Sequence, residues 1–402
     1  MTLKQETRII ILLAFINFVN IVDFMVLMPL APQIKEAFQL GASQWGGVVS
    51  AYTISAFVAG ILALFMIDRY NRKTYLMLNM IGFVGGTFLC GISYSYEFLM
   101  FSRIFTGFFG GVISSVSIAI VTDVTPMERR GRSMGIFMGG FAAAAALGVP
   151  FGTVLGAKHT LGWNFPFMAL ATLGGIMMVV CYFVLPRISP AKKDENNTHV
   201  TTTVIALKSI TKDSNQRWGF LLMCLIVFVQ FMIVPFYSPF LVSNLGLNEL
   251  QLAGTYAIGG ISSIAFNPLI GKMSDRIGHV KMYTILALLA CIPIWLCTSL
   301  EDISYPIVLL LSACFFAFAG GRFTPAVALM ISTAKPHQRG IFNTLRNSVQ
   351  NGVAGIAALF AGIIVTQVTP TSKYEHYATA GIIAIGVNLL SILVIRKVKA
   401  VS

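Results

Sequence analysis

Asp23 stands out in this chain because of where it lies. It sits inside an apolar run, Ile9 to Ala31, that reads IIILLAFINFVNIVDFMVLMPLA. Asn17 and Asn20 precede it at three-residue steps. In a helix each such step falls about 60° short of a full turn, so the three polar groups share one face. A charge near the middle of a bilayer costs ~2.5–3.5 kcal/mol on insertion scales, so an acid kept there borders protein or water rather than lipid. A carboxylate in a low-dielectric site also holds a proton more readily than one in water. The chemistry on offer is reversible protonation, or capture of a polar group on a transported molecule.

Three arginines, Arg103, Arg322 and Arg346, also lie inside apolar segments, where each needs an acid or water. Asp23 is the only acid well inside such a segment and is the candidate partner of Arg103. The alternative is that Arg103 snorkels to the outer interface near Glu97. Asn343, Arg346, Asn347, Gln350 and Asn351 follow Arg339 at helical spacing and form a polar face. It reads either as a hydrophilic vestibule for anionic or polar groups, or as a capped helix end pairing with a gate.

The elements that position these residues follow from composition. The 402 residues are 56% hydrophobic and 11% charged, with mean hydropathy +0.80. Soluble chains carry about 25% charged residues, so this is a polytopic membrane protein. The first run spans roughly 34 Å as a helix, too long for a signal-peptide core, and is expected to be retained. Apolar segments fall near 9–31, 45–66, 75–94, 98–122, 133–157, 165–186, 218–243, 249–271, 281–299, 304–332, 340–366 and 378–395, twelve in all. The expected fold is all-α, with residues 1–186 and 218–402 as two six-helix bundles and 187–217 as a polar linker.

The net charge of +13 is scattered among short connections, which excludes a nucleic-acid patch. Lys35, Lys158 and Lys373 are the only basic residues in the outer loops, so both termini are expected in the cytoplasm. The six cysteines lie in apolar segments without CxxC spacing, and the five histidines lie in loops or at helix ends. Neither set predicts a disulfide frame or a metal site, and no cofactor is expected. No P-loop signature is present, so neither ATP-driven pumping nor enzyme chemistry is predicted. A receptor or scaffold reading finds no extramembrane domain to signal through.

The halves repeat. Asp23-Phe24-Met25 with Pro32 matches Gln230-Phe231-Met232 with Pro239, and Asp68-Arg69 matches Asp275-Arg276, both at an offset of 207. Gly110-Gly111 with Pro126 matches Gly320-Gly321 with Pro336 at 210. Transporters built from such repeats place the substrate between them near the midplane. Gln230 thus takes the place of Asp23 in the second half, and Tyr237 follows between Pro235 and Pro239.

Gly271-Lys-Met-Ser-Asp275-Arg276-Ile-Gly278-His-Val-Lys281 resembles the loop signature of the major facilitator superfamily. Leu64-x-x-x-Asp68-Arg69-Tyr70-Asn71-Arg72-Lys73 looks like its first-half copy, with both glycines replaced. Arg103-Ile-Phe-Thr-Gly107 is similar to the family's Arg-x-x-x-Gly motif, and Gly148-Val-Pro150-Phe-Gly152-Thr-Val-Leu-Gly156 to the Gly/Pro motif of its exporter branches. The entry to the sixth segment, Gly162-Trp163-Asn164, looks like that of drug:proton antiporters with Asn164 for the usual arginine. The resemblance covers nearly the whole chain. It implies a monomeric secondary transporter in a bacterial inner membrane, exchanging protons for a small amphipathic or drug-like molecule. Under it Asp23, Asn17, Asn20, Arg103, Gln230, Tyr237, Arg322 and Arg346 serve coupling or the cavity. Asp68, Arg69, Arg72, Asp123, Arg130, Gly271, Asp275, Arg276 and Gly278 form the cytoplasmic gate. The other reading is an importer or facilitator of a polar or anionic molecule, with Asp23 binding substrate.

Overall fold

The structure, a computed structural model, describes residues 3–67, 69–126, 129–157, 162–188, 207–210, 212–300, 303–334, 339–367 and 372–399. Backbone inside a bilayer has no water to bond, so apolar runs of this length must satisfy themselves as helices. The first half holds α1 (Leu3–Val26), α2 (Ala31–Phe38), α3 (Ala42–Met66), α4 (Arg72–Gly91), α5 (Tyr96–Val124), α6 (Arg130–Leu155) and α7 (Asn164–Val184). The second holds α8 (Ser214–Ser243), α9 (Glu249–Ile277), α10 (His279–Ser299), α11 (Tyr305–Ser332), α12 (Arg339–Ile364) and α13 (Tyr377–Ile395). All but the short α2 are membrane-length, six per half, as expected. Eleven are also apolar enough to cross a membrane; α9 is the exception, with Asn267 at its middle and Lys272, Asp275 and Arg276 near its end. The linker expected at 187–217 lies largely outside the described residues.

Side chains set the helix ends. Ser95 accepts from the Phe98 amide at 3.2 Å, and Asn248 and Gln251 cap each other's backbone at the start of α9. Gly278, at φ +92°, separates α9 from α10. The short α2 was not anticipated: Pro32 pre-sets its first turn, and Gln39 ends it in the left-handed region. A widened turn, Ala144–Gly148, lies just before Pro150 in α6. Small side chains there tolerate the extra residue per turn. Phe315–Gly320 repeats the device in α11.

Both termini lie on one face. Arg129 pairs with Glu6 at 2.9 Å, the Arg72 amide donates to Ile188, and Asn215 donates to the Lys399 carbonyl at 2.6 Å. At the opposite, far face the halves are sewn together. Trp45 Nε1 donates to the Pro235 carbonyl at 2.8 Å, Ser238 to Pro29 at 3.2 Å, and Gln33 to Glu249 at 3.0 Å. Two helix pairs form the seam. In α3 against α12, a Cβ at Gly46 would stand 2.7 Å from the Ala358 carbonyl oxygen, so only glycine fits. In α6 against α9, Gly260 meets Ala145 and Ala146 in the same way. Toward the terminal face this second pair parts: the Cβ positions of Gly131, Gly135 and Gly139 on α6 have no atom within 4 Å. The molecule is sealed at the far face and opened along α6–α9 at the terminal face.

Replacing Gly46 by leucine should break the far-face seal, since overpacking of this kind costs ~1–3 kcal/mol. Spin labels at the exposed Gln39 and Leu250 should report a longer distance in Gly46→Leu; an unchanged distribution would show that the contact does not govern the seal.

Candidate functional site

Asp23 reaches the interior of the first half. Its Oδ2 lies 3.1 Å from Arg103 Nη1, and its Oδ1 accepts from Thr87 Oγ1 at 3.0 Å. The Arg103 guanidinium rests 4.5 Å from the centre of the Tyr52 ring. Asp23 and Arg103 are wholly buried. The site thus joins α1, α3, α4 and α5. Gly107 explains the spacing of its motif: a Cβ there would stand 2.3 Å from the Tyr52 carbonyl oxygen. One turn beyond Arg103, α5 therefore lies directly on the α3 backbone and brings Tyr52 under the guanidinium.

The polar stripe of α1 is satisfied along its length. Asn17 accepts from Ser114 at 2.6 Å, and Asn20 lies 3.5 Å from the Tyr52 hydroxyl. Only Arg103 is short of partners; its Nε and Nη2 are buried and unbonded. Such a half-satisfied buried network is costly and marks a group that needs another partner in another state.

Of the two surroundings open to an acid at this depth, protein and water, Asp23 has protein. Phe24 packs 5.1 Å from Tyr52 and 6.0 Å from Phe231 of α8, so one aromatic layer separates the ion pair from the seam. The physical reason is the pairing itself: a carboxylate that meets a guanidinium and a hydroxyl in the protein needs no water.

The other candidates do not join this cluster. Tyr237 is buried in the second half, with its hydroxyl 2.5 Å from Ser312. Arg322 is sealed there too, donating to Ala319 at 3.1 Å and to Asn388 on α13. Gln230 keeps a buried Oε1 without a partner. Arg346 on α12 donates to Asn347 at 3.0 Å, and its Nε is buried and unbonded.

Two of the gate residues, Arg72 and Arg130, form ties within the first half. Arg72 binds Asp123 at 3.1 Å and also the Ile67 carbonyl. Arg130 donates to Thr125 at 3.2 Å, and Arg69 is exposed. Asp68 lies outside the described residues. Asp275 and Arg276 are exposed and form no ion pair among the described residues. A Cβ at Gly271 would make only an ordinary contact, 3.9 Å from Thr324, so no close helix approach requires a glycine there in this conformation. The Gly148, Gly152 and Gly156 row packs against Val22, Val26 and Leu30. It therefore fastens α6 to α1, the helix that carries Asp23, with Pro150 between.

Sequence reasoning missed Thr87, Tyr52 and, at the far face, Lys35. Lys35 is buried, donates to Gln367 at 2.7 Å and to the Tyr374 hydroxyl, and lies over the Tyr374 ring. It ties α2 to the loop before α13, across the halves. Burial pushes its amine down to about 7 and the Tyr374 phenol up.

The family model described as Major Facilitator Superfamily matches residues 13–271 and 256–401. The chain is 25% identical over 360 residues to the uncharacterized MFS-type transporter YceJ of Bacillus subtilis, covering 87% of each. It is 22% identical over 341 residues to multidrug resistance protein 2 of the same organism, covering 84% of this chain and 83% of the relative. A bacterial homolog of the human lysosomal transporter Spinster, solved inward-facing and unoccupied, superposes with TM-score 0.74 over 99% of this chain and 98% of that one, at 15% identity. This last likeness shows the fold alone.

Two outcomes follow. Removing one partner of a buried pair costs ~3–5 kcal/mol because the other charge is left bare. Arg103→Met should therefore lower the melting temperature sharply, and adding Asp23→Asn should restore much of it; equal losses in the single and double variants would mean that the pair carries no such charge burden. Lys35 sheds its proton near 7 when sealed but near 10.5 when free, so the sealed form binds fewer protons between those values. Lowering the far-side pH from 10 to 7 should weaken the seal by up to about tenfold per unit, with no further change below 7. Spin labels at the exposed Gln39 and Leu250 should report a longer distance over that range and a pH-independent one once Lys35→Met is added.

Proposed function

The chain belongs to the major facilitator superfamily, and from that premise we propose that it is a proton-coupled exporter of a small molecule, working by alternating access. The observation that carries this reading is the Asp23–Arg103–Thr87 cluster, one aromatic layer from the seam between the halves. In the conformation described, Asp23 is paired and Arg103 is half-satisfied. A proton arriving on Asp23 removes the charge that holds Arg103 and frees α1 from α5. Because the glycine row of α6 grips α1 beside Asp23, and α6 also meets α9 at the seam, a shift of α1 moves the element that opens and closes. Pairing and gating are thereby linked through one helix.

The positive-inside bias assigns the terminal face to the cytoplasm, which makes the conformation inward-open. The Gly/Pro row of α6 supports export, as does the similarity to a relative named for multidrug resistance. A single chain supplies both halves, so we take the working unit as a monomer in a bacterial inner membrane. Direct substrate binding by Asp23 fits less well, since its carboxylate is fully enclosed.

The test uses everted vesicles carrying an interior-acid gradient reported by a quenched acridine dye. A transported compound should relieve the quenching with the natural chain and not with Asp23→Asn, while gradient-free counterflow persists. The folding control is Asp23→Asn combined with Arg103→Gln, which leaves no bare charge. Undiminished gradient-driven transport in both variants would remove the coupling role.

A further inference from the structure

We infer that the transported molecule carries an anionic group, a carboxylate or phosphate, and that Arg346 with Asn347 receives it between the halves. This rests on the transport reading above and adds the substrate class to it.

The inference starts from an inventory of charge at membrane depth. Among the described acids, Glu6, Asp123, Asp213 and Asp275 stand at the terminal face, and Glu36, Glu97, Glu249 and Glu375 at the far face. Only Asp23 lies deep in a helix, and it is enclosed with Arg103. No described carboxylate is left for a cationic molecule in the seam. Of the three deep arginines, Arg103 is paired and Arg322 is sealed inside the second half against Asn388. Arg346 remains, and the one hydrogen-bond partner of its guanidinium is the amide of its own neighbour, Asn347.

The helix sets Arg346 at the edge of the arc that faces the seam, its guanidinium bonded to Asn347 on that arc. Ser348, Gly352 and Gly355 of α12 face α3. Phe342, 5.1 Å from Phe220, faces α8. Two arcs are left. One carries Ile356 and Ile363, strongly exposed and apolar, which suits lipid. The other is opposite: Asn347 precedes Ile356 by nine residues, which is two and a half turns. Asn343, Asn347 and Gln350 share that inner arc. It faces the space between the halves, on the side that opens at the terminal face.

The arc is poised for an anion rather than merely polar. Asn347 accepts from Arg346 with its Oδ1, which leaves its Nδ2 as a donor for another group. Arg346 Nε is buried and unbonded, so the guanidinium has donors in hand. A guanidinium edge beside an amide N–H matches the two oxygens of a carboxylate or phosphate. A cation in the same place would meet a like charge and no described acid. The anion also serves the transport cycle. Closing the terminal face strips water from Arg346, and a bound anion offsets its charge, so the loaded carrier closes more readily than the empty one.

The experiment uses everted vesicles from cells with and without the full chain. They are offered one mixture of aromatic carboxylates, aryl phosphates, neutral aryl alcohols and quaternary ammonium ions of similar size, and uptake is read by mass spectrometry. The compounds accumulated by the chain should be the anions. Arg346→Gln should lower their uptake by about tenfold or more, with Arg346→Lys retaining part of it. Accumulation of the cations or neutral alcohols instead, or anion uptake unchanged in Arg346→Gln, overturns the proposal. A chain that accumulates nothing from any class refutes the transport reading itself, and this inference with it. Retained detergent-state melting behaviour in Arg346→Gln separates lost recognition from lost folding.

Discussion

The ion pair between Asp23 and Arg103 constrains the first half more than any other contact. A membrane interior penalises an acid or a guanidinium least when the other is at hand, and here the two sit on α1 and α5 with Thr87 and Tyr52 completing the cage. Four helices must therefore meet at one point. Their approach is made possible by the absence of a side chain at Gly107, which lays α5 on the α3 backbone. The pair is also incomplete, because two of the arginine's nitrogens find no acceptor. A fully satisfied network would lock the half in one arrangement. A partly satisfied one leaves free energy available to a second arrangement, which is what a carrier that alternates between states requires.

The seam obeys a different rule. Two of its close points, Gly46 on Ala358 and Gly260 on Ala145, are backbone against backbone, with no charge involved. Such contacts are strong when shapes match and vanish when they separate by an ångström or so. The far face adds directional bonds from Trp45, Ser238, Gln33 and Lys35, so it closes as a set. The terminal end of α6–α9 has only its bare glycine row and stands apart. Helix α6 belongs to both systems: one row grips α1 beside the ion pair, and another face meets α9.

Much of this was legible in the chain itself, for reasons that can be named. Helix number and pseudo-repeat follow from hydropathy, because the bilayer forces every apolar run into the same shape. Asp23 and Arg103 were visible because a charge in an apolar run has no innocuous explanation. Thr87 was not, since one threonine among apolar neighbours carries no signal until another helix brings a carboxylate to it. Depth along the membrane normal could be read from position in a run, but radial direction could not. That is why the sequence left protein or water open for Asp23, and only the fold puts it one aromatic ring away from the seam. Lys35 was hidden for a related reason. It reads as a loop charge, and only the unforeseen α2, together with a loop more than three hundred residues later, encloses it.

The two halves share a fold but differ in charge, and this difference bears on how labour is divided between them. The first half neutralises its deep arginine internally, so its polar core can respond to a proton without exposing charge to the seam. The second half places glutamine where the first has aspartate and keeps Arg322 and Arg346 without a described acid. Arg322 is held inside the fold by the Asn388 amide and the Ala319 carbonyl, whereas Arg346 has only its neighbour Asn347 among the described residues and so calls for water or a ligand. On the function proposed above, the proton would be handled in the half that holds the buried acid and the cargo in the half that does not, with α6 against α9 as the joint between them.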